Sequence, residues 1–429
     1  MTETFDVVIV GARCAGSPLA TQLARDGLSV CVLDKATFPS ETLSTHGIQP
    51  AGVRVLKRLG VFDELVSLAP PIDEGTVAFD DLEMDVVGLT ERSGAPLLCV
   101  RRRTLDAVLV DAARAADADV RTGTAVTGLI RENGRVTGVR TASGDVRSRL
   151  VVGADGVRST VADVVGAVKY APTPSRRIFA WAYFEGTDAG PRVLLGNKEG
   201  CGFLACPTDD GLFMAAAGVP PDHRQQLLDD REKAYLRSFE AWPELAALIA
   251  RGRRVGPIRV TWSWEGYLRQ SAGPGWALIG DAGHFKDPTP GQGIADALRQ
   301  SETMAAAIVT ALGGTADPDQ PLREWWRWRD QDAWEMYWFA YDMGAPGATP
   351  PVLKEIQRTI AADPALIDGM VGVLNHDVLP SKVFTPSFAL AAAARAFRRE
   401  RGHRREVLRE LRELLANEVR RRPRRFPTA

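Results

Sequence analysis

The sequence predicts an α/β fold with a doubly wound parallel sheet, a second, antiparallel sheet and a helical C-terminal region. The parallel sheet is indicated by residues 5–10, an apolar run that leads through a glycine-rich turn to a helix and a second apolar run. The antiparallel sheet is indicated by short segments separated by turns between residues 175 and 266. After residue 313, apolar residues recur at helical spacing.

Length and composition exclude several classes of protein. The 429 residues allow two to three domains with a sizeable core. A formal net charge of −1 gives the chain no overall attraction to nucleic acid or anionic membranes. Because no apolar run reaches 18 residues and the N-terminus lacks a basic signal segment, we expect a cytoplasmic protein without integral membrane association. The cysteines lack metal-ligand or C-x-x-C spacing, which predicts free buried thiols and no metal site.

The first glycine-rich turn, Gly-Ala-Arg-Cys-Ala-Gly, follows residues 5–10 directly. A helix-compatible segment follows, and the second apolar run, residues 28–33, ends in Asp34. Asp34 lies 23 positions after Gly11 (34 − 11), a spacing that suits a contact with a ribose hydroxyl. Arg13 stands where a dinucleotide-binding turn normally has its second glycine. Either Arg13 pairs with a phosphate or the turn is reshaped, and the sequence leaves both readings open.

The second motif, residues 280–293, lies between a short apolar run and a helix-compatible run, residues 294–312. Its acid, Asp281, can accept a hydrogen bond from a sugar-alcohol hydroxyl. The helix start offers free N–H groups and a partial positive charge to an electron-rich ligand edge. Gly291 and Gly293 remove side chains where a flat ligand approaches the backbone.

These motifs resemble those of a known family. The pattern G-D-x-x-H-x-x-x-P-x-x-G-Q-G in residues 280–293 matches the second flavin motif of group A flavoprotein monooxygenases, which have the para-hydroxybenzoate hydroxylase fold. Residues 153–160, G-A-D-G-V-R-S-T, match its third signature. The turn that contains Arg13 resembles a variant found near the geranylgeranyl-reductase-like oxidoreductases. The resemblance implies a Rossmann-like domain that binds FAD non-covalently.

The resemblance also implies roles for individual residues. Asp281 would bind the ribityl chain, Asp155 the ribose and pyrophosphate region, and Arg102 a phosphate of FAD, with Arg101 and Arg103 as alternatives one residue away. The residues assigned to the cofactor are Gly11, Arg13, Cys14, Ala15, Gly16, Asp34, Lys35, Arg102, Val126, Asp155, Gly156, Gly280, Asp281, Pro288, Gly291, Gln292, Gly293 and Ile294.

Three residues are candidates for the chemistry itself. Pro288 occupies the family position whose carbonyl flanks the site where the flavin reacts with oxygen. Asp287 is a neighbouring titratable group, with helix-start capping as its alternative. His46 lies in a segment that passes close to the flavin in this family, and a core or capping role is its alternative.

The chain divides into three predicted regions. Residues 1–72, 98–174 and 268–315 form the FAD domain, residues 73–97 and 175–267 the substrate-binding sheet, and residues 316–429 a helical region. The last region includes an amphipathic tail, residues 395–425, that packs on its own domain or on a second copy in a homodimer. Candidate substrate contacts in the sheet are Trp181, Tyr183, Phe203, Phe213, Met214 and Trp262.

The function implied is an FAD-dependent monooxygenase that consumes NADPH or NADH. It would hydroxylate or epoxidise a small apolar, aromatic or polycyclic molecule with O₂ through a flavin C4a-hydroperoxide. A reductase of the geranylgeranyl-reductase type is the alternative. A flavin halogenase is a third reading, since Trp262-Ser263-Trp264 is similar to its W-x-W motif, but no lysine lies between Lys57 and Lys169. A non-catalytic flavin-binding module is the fourth.

Overall fold

The computed structural model describes residues 3–80, 82–314 and 316–421. The strands in chain order are β1 Thr4–Val10, β2 Val30–Leu33, β3 Gly47–Ile48, β4 Glu74–Phe79, β5 Leu82–Val86, β6 Leu98–Cys99, β7 Asp119–Arg121, β8 Val126–Glu132, β9 Arg135–Thr141, β10 Gly144–Gly153, β11 Lys169–Pro174, β12 Ile178–Glu185, β13 Arg192–Lys198, β14 Cys201–Pro207, β15 Phe213–Val219, β16 Arg253–Thr261, β17 Glu265–Arg269, β18 Ala272–Gly273, β19 Trp276–Leu278 and β20 His284–Phe285.

The helices are α1 Gly16–Arg25, α2 Pro50–Leu59, α3 Phe62–Leu68, α4 Leu89–Ser93, α5 Arg102–Ala115, α6 Thr160–Val165, α7 Arg224–Asp229, α8 Arg231–Ser238, α9 Pro243–Arg251, α10 Gly293–Leu312, α11 Gln320–Met343, α12 Pro351–Ala361, α13 Pro364–Leu374, α14 Pro380–Val383, α15 Pro386–Arg399 and α16 Arg404–Arg420. Within the described ranges, none of these helices combines the length and hydropathy that crossing a bilayer requires.

The first sheet has the strand order β18-β19-β10-β1-β2-β7, with the β8–β9 hairpin attached to β10. Strands β19, β10, β1, β2 and β7 pair in parallel. Val7, Val8 and Ile9 in β1 are fully buried, because one core lies on each face of the sheet. The predicted doubly wound α/β fold is therefore confirmed.

The second sheet has the order β16-β12-β15-β14-β13-β4-β5 and is antiparallel except for the β13–β4 pair. Helices α8 and α9 cover its outer face, where Phe203 and Phe213 pack against Tyr235, Phe239 and Trp242. Its inner face carries Trp181, Tyr183 and Met214 and packs against Cys99 of β6 and the partly buried Ile367 and Val371 of α13. The inner face therefore faces the two-stranded sheet of β3 and β6 and the C-terminal helix α13.

One predicted element differs in detail from that observed. The predicted tail helix is interrupted between α15 and α16, and residues 422–425 of that prediction lie outside the described residues.

The C-terminal helices pack on the same chain. Ala392, Ala393 and Ala396 of α15 and Val407 of α16 form a small core with Val352 of α12. Glu410 of α16 accepts hydrogen bonds from the first turn of α12. The tail thus packs on its own region, while the homodimer and the domain boundaries stay predictions.

Candidate functional site

The first turn is shaped by two glycines in close contact. Gly11 has φ of +105°, and a Cβ built there would lie 2.4 Å from the carbonyl oxygen of Ala154. A Cβ at Gly16 would lie 1.8 Å from the carbonyl oxygen of Gly11. Helix α1 can therefore begin against the end of β1 only if both residues are glycine. Among the described residues, no side chain caps the start of α1.

Asp34 and Arg13 hold this turn in place. The Asp34 carboxylate accepts hydrogen bonds from the backbone N–H groups of Ala12 and Ala36, both at 2.8 Å. The Arg13 guanidinium donates to Asp106 at 2.8 Å and to Ser40 at 3.0 Å. Arg13 therefore pairs with Asp106 instead of filling the turn, and its contact with a phosphate stays a prediction.

Arg102 is the central member of the predicted arginine trio. Its Nε donates to Asp106 at 3.0 Å, and its charge acts on both Cys14 and Asp281. Arg101 instead binds Asp209, and the side chain of Arg103 is exposed. Arg102 is consequently the arginine of the trio whose charge acts on both the first and the second motif, and its contact with a phosphate of FAD stays a prediction.

In the third motif, residues at the start of α6 hold the side chain of Asp155 in place. Asp155 accepts hydrogen bonds from the Ser159 hydroxyl at 2.5 Å and the Val161 N–H at 3.3 Å, and burial raises the pKa of its carboxyl. Ser159 in turn caps α6. Gly156 has φ of +75°, and no heavy atom of the described residues lies within 4 Å of a Cβ built there. This open glycine leaves room for a ligand beside Asp155.

The second motif brings α10 to the same edge of the sheet. A Cβ at Gly280 would lie 3.0 Å from the Cβ of Ala15 and 3.7 Å from that of Ala297, so Gly280 lets α1 and α10 approach. Helix α10 starts at Gly293, where in the described part of the chain an added Cβ would meet no atom within 4 Å. Asp281 and the starts of α1 and α10 thus lie at the carboxyl ends of β1, β10 and β19, the position of ligand sites in doubly wound sheets.

Asp281 is a carboxyl in a poorly solvated position. Burial raises its pKa to about 6, although the charge of Arg102 acts in the opposite direction. The free carboxylate is therefore costly without a ligand that donates a hydrogen bond to it.

A buried charge network supports the start of α10. Lys286 lies 2.6 Å from the carboxylate of Asp296 and donates to Gln292 at 2.7 Å. Although burial alone would raise it, Lys286 and His376 hold the pKa of Asp296 well below its usual range. The Gln292 side chain also donates to the carbonyls of Val373 and Leu374, so only its backbone remains for a cofactor. Sequence reasoning missed the Lys286–Asp296 pair, although both residues lie in or beside the motif.

Asp287 and Pro288 form a tight turn. The Asp287 carboxylate accepts hydrogen bonds from the N–H and hydroxyl of Thr289, at 3.0 and 2.5 Å. The Pro288 carbonyl accepts one from the Gly291 N–H at 2.9 Å. The Asp287 side chain therefore shapes the turn that presents Pro288 and does not cap the start of α10; a catalytic role for either residue stays a prediction.

His46 lies at the inner face of the second sheet. Its Nε2 forms a short hydrogen bond with the Tyr183 hydroxyl, and its φ is +63°, an uncommon value outside glycine. Burial lowers its pKa to about 3, and the nearby Arg102 charge acts in the same direction, so His46 is neutral. Its Nδ1 is buried and has no hydrogen-bond partner among the described residues.

The sheet does not bring the six candidate substrate contacts together. Trp181, Tyr183 and Met214 lie on the inner face, whereas Phe203, Phe213 and Trp262 pack with the core of the outer face. Phe213 and Met214 lie on opposite faces because successive residues of a strand alternate between faces. Contacts of any of the six with a substrate stay predictions.

The remaining assigned residues lie around the first turn. Lys35 is exposed beside Asp34, and Val126 begins β8 close to the Asp34 backbone, which accepts a hydrogen bond from Thr124. Cys14 and Ala15 are buried at the start of α1, and Ile294 is buried in the first turn of α10. Their contacts with a cofactor stay predictions.

Comparisons with known proteins place this geometry in a family. A family model described as the FAD binding domain matches residues 4–337, which is most of the chain. The chain belongs to this family of group A flavoprotein monooxygenases. It is an FAD-dependent oxidoreductase.

Individual relatives differ in their named activities. The chain is 29% identical over 321 residues to the rifampicin monooxygenase of Streptomyces venezuelae, a match that covers 73% of this chain and 65% of that protein. It is 29% identical over 333 residues to the digeranylgeranylglycerophospholipid reductase of Methanocella arvoryzae, over 73% of this chain and 79% of that protein. The flavin-dependent brominase Bmp2 has a similar fold, with a TM-score of 0.75 and 21% identity over 92% of this chain and 100% of that one.

The residues of the site fit FAD. The starts of α1 and α10 can face the phosphates and the ring edge, since both helices approach each other at Gly280. Asp34 and Asp281 can provide acceptors for the ribose and ribityl hydroxyls, and Arg102 is a cation whose charge acts on Asp281. Gly156 and Gly293 leave the open space that a flat ligand requires.

Asp34→Ala is expected to raise the dissociation constant of FAD about tenfold or more, since a hydrogen bond to a charged group contributes about 1.5–3 kcal/mol. Loss of the bonds to Ala12 and Ala36 would also loosen the first turn. Asp26→Ala, an exposed change at the end of α1, serves as the control in a fluorescence titration of FAD-free protein. Equal FAD affinity in both variants would contradict the role of the turn.

Asp281→Asn is expected to stabilise the FAD-free protein at neutral pH and to weaken FAD binding. Because the folded-state pKa is raised, protonated Asp281 favours folding fully below about pH 4, and this contribution is lost as the pH rises through about 6. The variant should therefore gain stability on the order of 2 kcal/mol at about pH 8 and little at about pH 4. Urea unfolding at both pH values measures this, with the exposed Asp163→Asn as control; a difference independent of pH would contradict the raised pKa of Asp281.

Proposed function

We propose that this enzyme is a monooxygenase that uses FAD and NADPH or NADH to place one oxygen atom of O₂ on a small, apolar, ring-bearing molecule. The observation that supports it is the position of Asp281, Pro288 and the start of α10 at one edge of the first sheet, with the inner face of the second sheet carrying His46 and Tyr183. FAD, when bound, supplies the transfer of electrons from the nicotinamide to O₂.

The protein's own residues would orient, stabilise and shield the reactants. The start of α10 places a partial positive charge where negative charge collects on the reduced ring system. Trp181, Met214 and the aliphatic side chains of the inner face would exclude water. The His46–Tyr183 pair can orient the substrate by hydrogen bonding, because burial keeps His46 neutral.

A reductase is the second candidate. It is supported by the similarity to a digeranylgeranylglycerophospholipid reductase and by Arg13 in the first turn. A halogenase is less supported: a brominase of Pseudoalteromonas luteoviolacea is 24% identical to the chain over 374 residues, but this chain has no lysine between Lys57 and Lys169, where a halogenase would be expected to have its halide-oxidising lysine. We also propose a cytoplasmic enzyme that forms a homodimer, with the exposed Leu408, Leu415 and Val419 of α16 as its contact.

The proposal is tested with FAD-loaded protein and a panel of aromatic and polycyclic compounds. We expect substrate-stimulated NAD(P)H oxidation, matching O₂ uptake, and a product heavier by one oxygen atom. A product that gains two hydrogen atoms in the absence of oxygen would establish the reductase instead. A product that gains a halogen only when halide is present would establish the halogenase.

A further inference from the structure

Helix α13 is a weak helix by sequence. Its eleven residues include Gly369 and Gly372, and glycine disfavours a helix relative to alanine. Helices of this length are marginal in water without tertiary contacts. Among the described residues of α13, only Val373 is buried. The order of α13 therefore depends on the few contacts that it makes with the rest of the protein.

Helix α13 contacts two different parts of the protein. Ile367 and Val371, one helical turn apart, pack against the inner face of the second sheet. At the C-terminal end, the carbonyl oxygens of Val373 and Leu374 accept hydrogen bonds from the Gln292 side chain, at 3.1 and 2.8 Å. These carbonyls belong to the last turn of the helix, which lacks intrahelical donors. Gln292 thus caps the end of α13.

Gln292 makes these hydrogen bonds from the position just before α10. It is the N-cap residue of α10, yet within the described ranges its side chain accepts no hydrogen bond from that helix. Its amide is committed elsewhere, because Oε1 accepts from Lys286 at 2.7 Å while the NH₂ group donates to α13. The side chain is turned away from the start of α10 and leaves the first N–H groups of that helix to a ligand.

A second contact joins the same two helices. Just beyond α13, Nδ1 of His376 lies 3.2 Å from the carboxylate of Asp296 in the first turn of α10. Asp296 is also paired with Lys286, at 2.6 Å. Lys286, Gln292, Asp296 and His376 are each 9% exposed or less. Because a partly satisfied buried polar network is costly, we expect the start of α10 and the end of α13 to open together.

We propose that Gln292 is a positioning residue through which bound FAD orders α13, and with it the side of the inner face that Ile367 and Val371 cover. FAD favours the closed state of the α10 start, since a ligand stabilises the state to which it binds. The hydrogen bonds of Gln292 extend this stabilisation to α13, a helix that is marginal alone. The inference goes beyond the proposed reaction, because a monooxygenase and a reductase would both bind FAD.

The test measures amide hydrogen exchange of residues 364–374 by mass spectrometry, in FAD-free and FAD-loaded protein. In the wild type, FAD at about a hundred times its dissociation constant is expected to slow this exchange about tenfold or more. Gln292→Leu, which has no donor for α13, should lose this effect while FAD still slows exchange in α1. Gln270→Leu is the matched control, because the Gln270 amide donates to the nearby Ala272 carbonyl at 3.3 Å and lies outside both helices.

The reciprocal effect provides a second pair of variants. If FAD orders α13, breaking α13 must weaken FAD binding through the same coupling. Gly369→Pro interrupts α13 and should raise the dissociation constant of FAD about fivefold or more. Leu390→Pro is its control, because it interrupts α15, which packs on α12 and α16, at an exposed position.

Three results would overturn the proposal: no effect of FAD on α13 exchange in the wild type, an effect that persists in Gln292→Leu, or equal FAD affinity in the two proline variants. If Gln292→Leu does not fold, the wild-type exchange and the proline variants decide the matter. Neither measurement needs NADPH, O₂ or turnover. A protein that shows both effects and transfers no oxygen would therefore refute the proposed reaction and leave the role of Gln292 standing.

Discussion

Gly16→Ala is expected to lower the free energy of unfolding by about 3 kcal/mol and to yield protein without FAD. The added Cβ would lie 1.8 Å from the backbone carbonyl oxygen of Gly11, which belongs to the first turn and cannot rotate away. Relief of the overlap requires α1 to move off β1. The movement would displace the helix start from the position at which we expect it to face the FAD phosphates.

Gly128→Ala is the matched control for this change. Gly128 lies in β8 at an ordinary φ, and within the described part of the chain no atom lies within 4 Å of an added Cβ. Thermal unfolding and the flavin content of the purified proteins measure both effects. If the Gly16→Ala protein unfolded at the same temperature as the control and retained its flavin, the first turn would tolerate a side chain.

Arg177→Met is expected to destabilise the protein by at least about 3 kcal/mol, because it leaves several buried carbonyls without a donor. Arg177 is 1% exposed and donates to the carbonyl oxygens of Gly200 and Gly218, both at 2.7 Å. It also donates to those of Gly344 and Ala345, at 3.2 and 2.6 Å. The guanidinium therefore joins the second sheet to the end of α11.

The same change should also weaken FAD binding. Gly344 packs so closely on Asp287 that a Cβ there would lie 2.6 Å from the Asp287 carboxylate. Loosening the end of α11 consequently frees the turn that carries Pro288. Arg176→Met is the control, since the neighbouring Arg176 lies over the ring of Tyr341 and should contribute little. Urea unfolding that gives the same stability for both variants would refute the structural role of Arg177.

The glycine motifs could be predicted from sequence because their requirements are local. A tight turn after a buried strand, an acid at the end of the next strand and a helix start are all encoded within about 25 residues. The structure accordingly has Gly11, Gly16, Asp34 and Asp281 at one edge of the first sheet. The predicted helix over residues 294–312 is observed as α10, one residue longer.

The second sheet could be located from sequence, but its faces could not be distinguished. Every strand alternates, and both faces are apolar, so the pattern alone does not separate Trp181 and Met214 from Phe203 and Phe213. Helix α9 covers the outer face, and this packing distinguishes the outer face of the sheet from the inner one. The role of Arg177 was equally hidden, since its neighbours come from distant parts of the chain.

Transfer of oxygen from ¹⁸O₂ to product is the measurement that tests the central claim most directly. FAD-loaded protein is supplied with NADPH and the ring-bearing compound that most stimulates oxygen uptake, under ¹⁸O₂ in unlabelled water. We predict a product that carries one ¹⁸O atom. A product that carries only oxygen from water, or that gains two hydrogen atoms and no oxygen, would contradict the assignment as a monooxygenase.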